Sequence, residues 1–217
     1  MKDAPDSILR PEQAAYTEAL EPSRDALLSK MEARAAERGH PISDPEVASF
    51  LAVTARASGA KHIVELGTNI GYGAIVLARA AGPLAKVVTI ELSHELCEVA
   101  RGFIHEAGLS DRIEVRQGSA LAELKKITVP IDLLYIDCVK EEYPEYLAAG
   151  VPRLSERGVI VADNAMWKGL VAKESVPAAE RARVEAVRAF NLELVSHPKL
   201  RGVVLPLGDG VAFAVRV

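Results

Sequence analysis

Four polar side chains that follow two apolar, β-branched stretches have the residue types needed for metal and proton chemistry. Asp137 and Lys140 follow the first stretch, and Asp163 and Asn164 follow the second. Two carboxylates and an amide are hard oxygen ligands that suit Mg²⁺ or Ca²⁺, whereas the five histidines show no zinc-ligand spacing. Taken singly, Asp163 and Asn164 are typical of a turn and Asp137 of a helix cap. Taken together, the four residues predict a metal site with an amine beside it.

A second candidate site is a glycine-rich turn. Gly67, Gly71 and Gly73 lie between an apolar stretch at 62–64 and a helix-like stretch at 74–81. A strand, a glycine turn and a helix N-terminus form a nucleotide-type site, because the helix start presents unpaired N–H groups. The spacing differs from the G-x-G-x-x-G pattern of dinucleotide sites, which counts against NAD. A tight turn that needs glycine for packing alone is the other interpretation.

Two glutamates narrow the choice of ligand. Glu91 ends the next apolar stretch, 24 residues after Gly67, where a carboxylate can bind both hydroxyls of a ribose. Glu65, just before the first glycine, would repel a pyrophosphate but not the cationic methionine end of S-adenosylmethionine (SAM). A third strand end, at residues 118–120, would either meet the adenine or simply cap a helix. The residues predicted to bind the cofactor are Glu65, Gly67, Thr68, Gly71, Tyr72, Gly73, Glu91, Leu92, Gly118, Ser119, Ala120 and Asp137.

The elements that must position these residues alternate along the chain from residue 61. The pattern predicts strands at 62–66, 86–91, 112–116, 131–136 and 157–162, and helices near 72–81, 93–107, 119–126, 140–152 and 178–192. Alternation of this kind is typical of a doubly wound, mostly parallel α/β sheet of the Rossmann type. Residues 201–206 and 211–215 flank Asp209-Gly210 and predict a hairpin with an antiparallel last strand. Because ligands bind at the carboxyl ends of parallel strands, Asp137, Asp163 and Asn164 should converge beside the cofactor.

The first sixty residues are predicted to form helices. Ser7 caps a first helix, and Pro22 and Ser23 begin a second that ends at Gly39. Ser43-Asp44-Pro45-Glu46 begins a third helix, with proline in its first turn. We therefore predict one domain over residues 1–217, with a helical cover at 1–60 and an α/β core at 61–217.

Composition excludes several classes of protein. The 217 residues include 26 basic and 30 acidic side chains, a formal charge of −4, which is no footprint of nucleic-acid binding. No apolar run approaches the ~20 residues of a membrane helix, and the N-terminus lacks a signal-peptide pattern. Cys97 and Cys138 form no CxxC pair. These features predict a cytoplasmic protein without a membrane or nucleic-acid partner.

Several of these motifs together resemble the cation-dependent O-methyltransferases, the group of catechol and caffeoyl-CoA O-methyltransferases and their small bacterial relatives. The resemblance spans roughly residues 42–217 and is carried by Val64–Tyr72, the Asp137…Lys140…Tyr143 segment, Asp163–Gly169, Phe190-Asn191 and Leu205–Gly210. It implies SAM as cofactor and a divalent cation, Mg²⁺ or alternatively Ca²⁺ or Mn²⁺, held by Asp137, Asp163 and Asn164. The cation would chelate two vicinal oxygens of a phenolic substrate. The resemblance also suggests that the N-terminal helices cover the pocket and form the contact face of a homodimer.

The resemblance implies roles for individual side chains. Asp137 and Lys140 would be catalytic, with Lys140 as general base and its pKa lowered by the neighbouring cation and sulfonium. Lys140, Asn164 and Trp167 would contact the substrate. Trp167 and Tyr143 correspond to positions that line or support the substrate pocket, although both are equally consistent with core packing. Residues 170–180 are predicted to form a loop over the site.

Departures from the family pattern leave other functions open. Val139 replaces the second acid of the usual Asp-Ala-Asp-Lys motif, Ala48 replaces a glycine, and Gly73 replaces a serine. The main prediction is an O-methyltransferase acting on a small catechol-like phenol. The alternatives are methylation of a hydroxylated tRNA base, a non-catalytic SAM-binding protein that lost activity through Val139, and, more remotely, an NAD dehydrogenase.

Overall fold

A computed structural model describes residues 11–20 and 25–217 of the chain. Its strands are β1 (His62–Leu66), β2 (Lys86–Glu91), β3 (Ile113–Gln117), β4 (Ile131–Ile136), β5 (Leu154–Ala162), β6 (Leu200–Leu205) and β7 (Val211–Arg216). Its α-helices are α1 (Pro11–Ala19), α2 (Ala26–Arg38), α3 (Pro45–Ser58), α4 (Tyr72–Ala81), α5 (His94–Glu106), α6 (Ala120–Lys126), α7 (Tyr143–Gly150) and α8 (Arg181–Ser196). Within these residues, no helix is long and apolar enough to cross a membrane.

The seven strands form one sheet in the order β3-β2-β1-β4-β5-β7-β6. Strands β1 to β5 pair in parallel, and β7 pairs antiparallel with both β5 and β6. This confirms the predicted fold class, including the antiparallel C-terminal hairpin. Since β1 lies between β2 and β4, the carboxyl ends of β1, β2, β4 and β5 share one edge of the sheet.

Apolar clusters cover both faces of the sheet. On one face, residues of α3, α4 and α5 pack against β1 and β4. On the other, α7 and α8 pack against β4 and β5, with the rings of Tyr143 and Phe190 5.2 Å apart. The central strands are therefore nearly continuous apolar runs, as expected for a parallel sheet that is buried on both sides. A rigid core of this kind holds the strand ends, and the side chains that follow them, in fixed positions.

Three predicted elements differ from the structure. The predicted helix at 140–152 is divided into a 3₁₀ turn (Lys140–Glu142), α7 and a second 3₁₀ turn (Val151–Arg153), because Pro144 and Pro152 each begin a new helical segment. Strand β5 begins at Leu154 rather than 157, next to an irregularity in its pairing with β4. The predicted helix at 178–192 starts as a 3₁₀ turn and continues as α8 to Ser196.

The N-terminal helices are present as predicted where they are described, although α2 begins at Ala26, later than the predicted start at Pro22 and Ser23. Ser7, Pro22 and Ser23 lie outside the described residues. Asp25 caps α2 by accepting the Leu28 N–H at 2.9 Å. Gly39 ends α2 with a left-handed φ of 68°, and α3 begins with proline as predicted.

Candidate active site

The glycine turn after β1 brings the chain against the end of β4. Gly67 has a φ of 97°, and a β-carbon there would lie 2.0 Å from the carbonyl oxygen of Asp137. Gly71 has a φ of 88° and forms the N-cap of α4. Both positions therefore require glycine, for backbone conformation and, at Gly67, for close approach of two backbone segments.

Glu65 is a buried carboxylate at the end of β1, with 1% of its surface exposed. Thr89 donates a hydrogen bond of 2.5 Å to its Oε2 atom. Burial raises the pKa of Glu65 to about 8, and the nearby charges of Asp137 and Glu91 act in the same direction. A cationic ligand group would offset these effects and stabilise the ionised form.

Glu91, at the end of β2, is held by the backbone on both sides. Its Oε2 accepts the Asn69 N–H and its Oε1 accepts the Ser93 N–H, each at 2.9 Å. Each oxygen retains a second acceptor site, which suits the pair of hydroxyls on a ribose. Gly118 donates its N–H to the Glu91 carbonyl at 2.8 Å, so the end of β3 lies beside this carboxylate.

A cleft joins six of the twelve residues predicted to bind a cofactor. It is lined by Pro41, Ile42, Ser43, Glu65, Gly67, Thr68, Asn69, Tyr72, Gly73, Tyr135 and Asp137. Six predicted residues are not among these lining residues: Gly71, Glu91, Leu92, Gly118, Ser119 and Ala120. Leu92 is exposed. Ser119 caps α6, so the structure contains the helix cap that was the alternative interpretation of residues 118–120.

The segment between α2 and α3 covers this cleft. Asn69 donates from Nδ2 to the Pro41 carbonyl at 2.6 Å, and the Tyr72 hydroxyl donates to Glu32 at 2.7 Å. A buried hydrogen bond of 2.9 Å joins the hydroxyls of Ser43 and Tyr135. The N-terminal region therefore contributes walls to the site, as the sequence predicted.

Asp137 and Asp163 are brought together by the pairing of three strands. The Asp137 N–H donates to the Leu66 carbonyl at 2.9 Å, and the Asp163 N–H donates to the Ile136 carbonyl at 3.0 Å. Asp163 is 4% exposed. Burial raises its pKa to about 8, and the Asp137 charge adds to this effect. Asn164 adopts a left-handed φ of 57° and donates its N–H to Asp163 Oδ1 at 2.6 Å.

The donor set at this edge fits a hard divalent cation. Two neighbouring carboxylates repel each other, and a cation between them would relieve the repulsion that raises the pKa of Asp163. Over residues 11–20 and 25–217, no three His, Cys, Asp or Glu side chains are grouped so as to hold a metal. A metal here would therefore depend on two carboxylates, the Asn164 amide, water and substrate oxygens, a set that Mg²⁺ accepts.

Lys140 is buried close to the two aspartates, with 7% of its surface exposed. Its Nζ is 2.9 Å from Asp137 Oδ1. Burial alone would lower the pKa of Lys140, but the Asp137 carboxylate and the Tyr143 hydroxyl outweigh it and raise this pKa well above its usual value. The prediction that the pKa of Lys140 is lowered is therefore wrong for the protein without ligands. That prediction considered the positive charges of the cation and of SAM and omitted the negative charge of Asp137.

Trp167 sits in a tight turn after β5, where it is half-buried. Three consecutive residues, Trp167 to Gly169, have left-handed φ angles of 40°, 56° and 71°. The Trp167 indole N–H donates to Glu180 at 2.8 Å, and its ring centre is 5.9 Å from Lys140 Nζ. Tyr143, in contrast, is completely buried. Of the two aromatic residues, Trp167 is thus the one within reach of a ligand.

Sequence reasoning missed several residues that support the site. Asp209 was interpreted as part of a hairpin turn, yet its carboxylate accepts the Lys168 N–H at 2.7 and 2.9 Å and so fixes the Trp167 turn. Asn191 donates to the Ala165 carbonyl at 2.7 Å. Thr89 was not singled out, although a hydroxyl within the apolar strand β2 was a usable signal.

Comparisons with known proteins agree with this geometry. The sequence model of a family described as O-methyltransferase matches residues 23–217. A catechol O-methyltransferase of Niastella koreensis is 33% identical over 203 residues, which cover 88% of this chain and 90% of the relative.

Two solved structures share the fold over nearly their whole length. An O-methyltransferase from Bacillus cereus in complex with S-adenosylhomocysteine (SAH) has a TM-score of 0.84 and 29% identity, covering 94% of this chain and 96% of that one. The O-methyltransferase TomG from Streptomyces achromogenes, in complex with SAM, has a TM-score of 0.85 and 28% identity, covering 96% and 100%. The matches confirm the resemblance seen in the sequence: the chain belongs to the family of SAM-dependent O-methyltransferases.

Proposed function

We propose that this enzyme transfers the methyl group of SAM to a hydroxyl of a small catechol-like phenol, with the help of a divalent cation. The observation that carries the proposal is the convergence of Asp137, Lys140 and Asp163 at one edge of the sheet, next to the cleft lined by Glu65. The name of the Niastella koreensis relative supports the phenolic substrate class.

The two bound groups would have separate sites on the chain. When bound, SAM supplies an electrophilic methyl group, and the cation supplies positive charge that lowers the pKa of a phenol from its usual value of ~10. Asp137, Asp163 and Asn164 would hold the cation through oxygen atoms. Glu65 would face the cofactor's amine, and Glu91 its ribose. Much of the rate would then come from holding donor and acceptor in contact.

Lys140 is the proposed general base, accepting the substrate's hydroxyl proton at Nζ. Burial favours its neutral form, whereas the charge of Asp137 keeps the proton on the amine. An Asp137 carboxylate committed to binding a cation would oppose deprotonation of Lys140 less strongly. The position of Lys140 beside a proposed cation ligand supports this role, whereas its raised pKa in the chain without ligands opposes it.

Trp167 is the proposed wall for the aromatic ring of the substrate. Its indole is half-buried and lies 5.9 Å from Lys140 Nζ, measured to the ring centre. A flat indole face packs favourably against another aromatic ring. Asp209 and Asn191 hydrogen-bond to the backbone of the turn that carries Trp167. These hydrogen bonds would keep the indole ring in place while substrates exchange.

A methyl-transfer assay with SAM and Mg²⁺ over catechols, flavonoids and hydroxycinnamates, with and without EDTA, tests the proposal. We expect turnover of a vicinal diol that EDTA abolishes and added Mg²⁺ restores. Asp137→Ala should lose this metal-dependent turnover and still bind SAM, although more weakly, because Asp137 also lines the cleft. Full activity of Asp137→Ala in the presence of EDTA would refute the metal mechanism, and turnover of bulk tRNA without any free phenol would refute the substrate class.

A further inference from the structure

Three polar side chains buried beneath the glycine turn form a continuous hydrogen-bonded chain. Thr68, Thr89 and Glu65 are 3%, 0% and 1% exposed. The hydroxyl oxygens of Thr68 and Thr89 are 2.6 Å apart, and the Thr89 hydroxyl is 2.5 Å from Glu65 Oε2. An ionised Glu65 carboxylate, the form that a cationic ligand stabilises, can only accept hydrogen bonds, so Thr89 donates to Glu65 and accepts from Thr68. The chain therefore has one direction, and it ends at Glu65.

The hydroxyl of Thr89 is not needed for packing. Thr89 pairs with Glu65 across β1 and β2, at a wholly buried position where valine has nearly the same shape and an equal preference for strands. A buried hydroxyl costs free energy unless it is hydrogen-bonded. Here both of its hydrogen bonds belong to the chain that leads to Glu65, which indicates that orienting this carboxylate is its contribution.

The second oxygen of Glu65 lies against Gly73, on the opposite side. A β-carbon at Gly73 would lie 2.1 Å from Glu65 Oε1, so the carboxylate occupies the space above this glycine. Thr89 is the one hydrogen-bond donor to Glu65 that the described residues supply. Glu65 also lines the cleft. Its orientation thus leaves acceptor capacity on the cleft side, where a cationic donor can be bound.

We propose that Thr89, supported by Thr68, is a positioning residue that orients Glu65 to bind the α-amino group of SAM. This inference rests on the proposed function of the cleft as the SAM site. It predicts that Thr89 matters for ligands that carry the amino-acid end and not for those that lack it.

Calorimetric titration of two variants with two ligands tests the proposal. SAH carries the amino-acid end, and 5′-methylthioadenosine has the same nucleoside and sulfur without it. Thr89→Val should weaken SAH binding about tenfold, the size expected for losing a hydrogen bond to a charged group. The same variant should bind 5′-methylthioadenosine like the wild type. Thr89→Ser, which keeps the hydroxyl, should bind SAH within about threefold of the wild type.

Equal weakening of both ligands in Thr89→Val, or of neither, would overturn the positioning role. Thermal melting establishes that the variants are folded. If Thr89→Val does not fold, Thr68→Val removes the outer hydroxyl and should weaken SAH alone, by about threefold, and an unchanged affinity for SAH would then overturn the proposal. If the wild type binds neither ligand, the SAM site itself is wrong, an outcome distinct from a failure at Thr89.

Discussion

The side-chain nitrogen of Lys140 lies 2.8 Å from the hydroxyl oxygen of Tyr143, and both side chains are buried. The Tyr143 oxygen is 3.0 Å from the Asp163 carbonyl, to which it can donate its own proton. A buried phenol thus connects the proposed base to the strand end that carries a proposed metal ligand. Tyr143 therefore supports the site from beneath and does not line a pocket.

Replacing Tyr143 by phenylalanine should impair the chemical step. Without the hydroxyl, Lys140 Nζ loses one of its two hydrogen-bond partners in the site and the Asp163 carbonyl loses a donor. We expect Tyr143→Phe to lower kcat about tenfold, with little change in KM for SAM and a stability loss of about 1–2 kcal/mol. Steady-state kinetics over pH 6–9 and thermal melting measure these effects.

Tyr146→Phe is the matched control for this variant. Tyr146 is also buried, but its hydroxyl donates to Glu142 at 2.6 Å and not to the Lys140 site. This variant should lose stability without a comparable loss of kcat. Equal loss of kcat in both variants would show that the effect of Tyr143 comes from general loosening of the core.

The stability of the enzyme without cofactor or metal should fall as pH rises from about 5 to 8. Burial holds the pKa values of Glu65 and Asp163 near 8 in the folded state, whereas an unfolded chain titrates them near ~4. Between these values the folded protein binds more protons than the unfolded chain, so the free energy of unfolding decreases with pH. Each of these two carboxyl groups lowers the free energy of unfolding by up to about 1.4 kcal/mol per pH unit in this window.

Thermal melting in EDTA across this pH range measures the effect. Asp163→Asn removes one of the two titrating groups and should make the dependence of Tm on pH shallower. Added Mg²⁺ at pH 8 should raise the Tm of the wild type and leave that of Asp163→Asn unchanged. A Tm that rises with pH in EDTA would contradict the assigned pKa directions.

Most of the fold could be predicted from the sequence, because parallel strands buried on both faces are short, nearly continuous apolar runs. The bounds of β1, β2 and β4 match the predicted ones, and the acids that follow the strands could be placed at one edge for the same reason. The stretch at 140–152 was predicted as one helix because its hydrophobic pattern is continuous. Two prolines divide that stretch into three helical segments, which the hydrophobic pattern alone does not show. The homodimer, the single domain and the cytoplasmic location stay predictions.

Contacts between distant segments could not be predicted in this way. The hydrogen bonds that join Asp209 to the Trp167 turn and Thr89 to Glu65 depend on three-dimensional position, and the local pattern around each residue does not name its partner. The pKa of Lys140 was misjudged for a related reason. Its direction depends on a balance between burial and Asp137 that spacing along the chain does not reveal.

Changes at Trp167 should act on the phenolic substrate and not on SAM. Trp167→Ala removes the proposed wall and should raise the KM for the phenol about tenfold. Trp167→Phe keeps an aromatic face and loses the hydrogen bond to Glu180, so a rise of only a few-fold is expected. Kinetics at saturating SAM measure the difference. Equal KM values in the wild type and in Trp167→Ala would exclude this residue from substrate binding.

Alanine substitutions at two glycines should separate folding from cofactor binding. At Gly67 the new β-carbon would meet the Asp137 backbone at 2.0 Å, in a conformation with a φ of 97°, so Gly67→Ala should destabilise the fold by several kcal/mol. At Gly73 it would clash with the end of the Glu65 side chain and lie in ordinary contact with Tyr135, at 3.5 Å. That carboxylate can move, and alanine is the better helix former, so Gly73→Ala should fold normally.

The two variants are therefore expected to fail in different measurements. Gly67→Ala should show a large drop in Tm, whereas Gly73→Ala should keep its Tm within a few degrees and bind SAH about tenfold more weakly, because Glu65 is displaced. Gly102→Ala, in α5, is the control, since a β-carbon there has no atom within 4 Å. It should gain slightly in stability and bind SAH normally. Undiminished SAH affinity in Gly73→Ala would mean that the cofactor does not depend on where the Glu65 carboxylate lies.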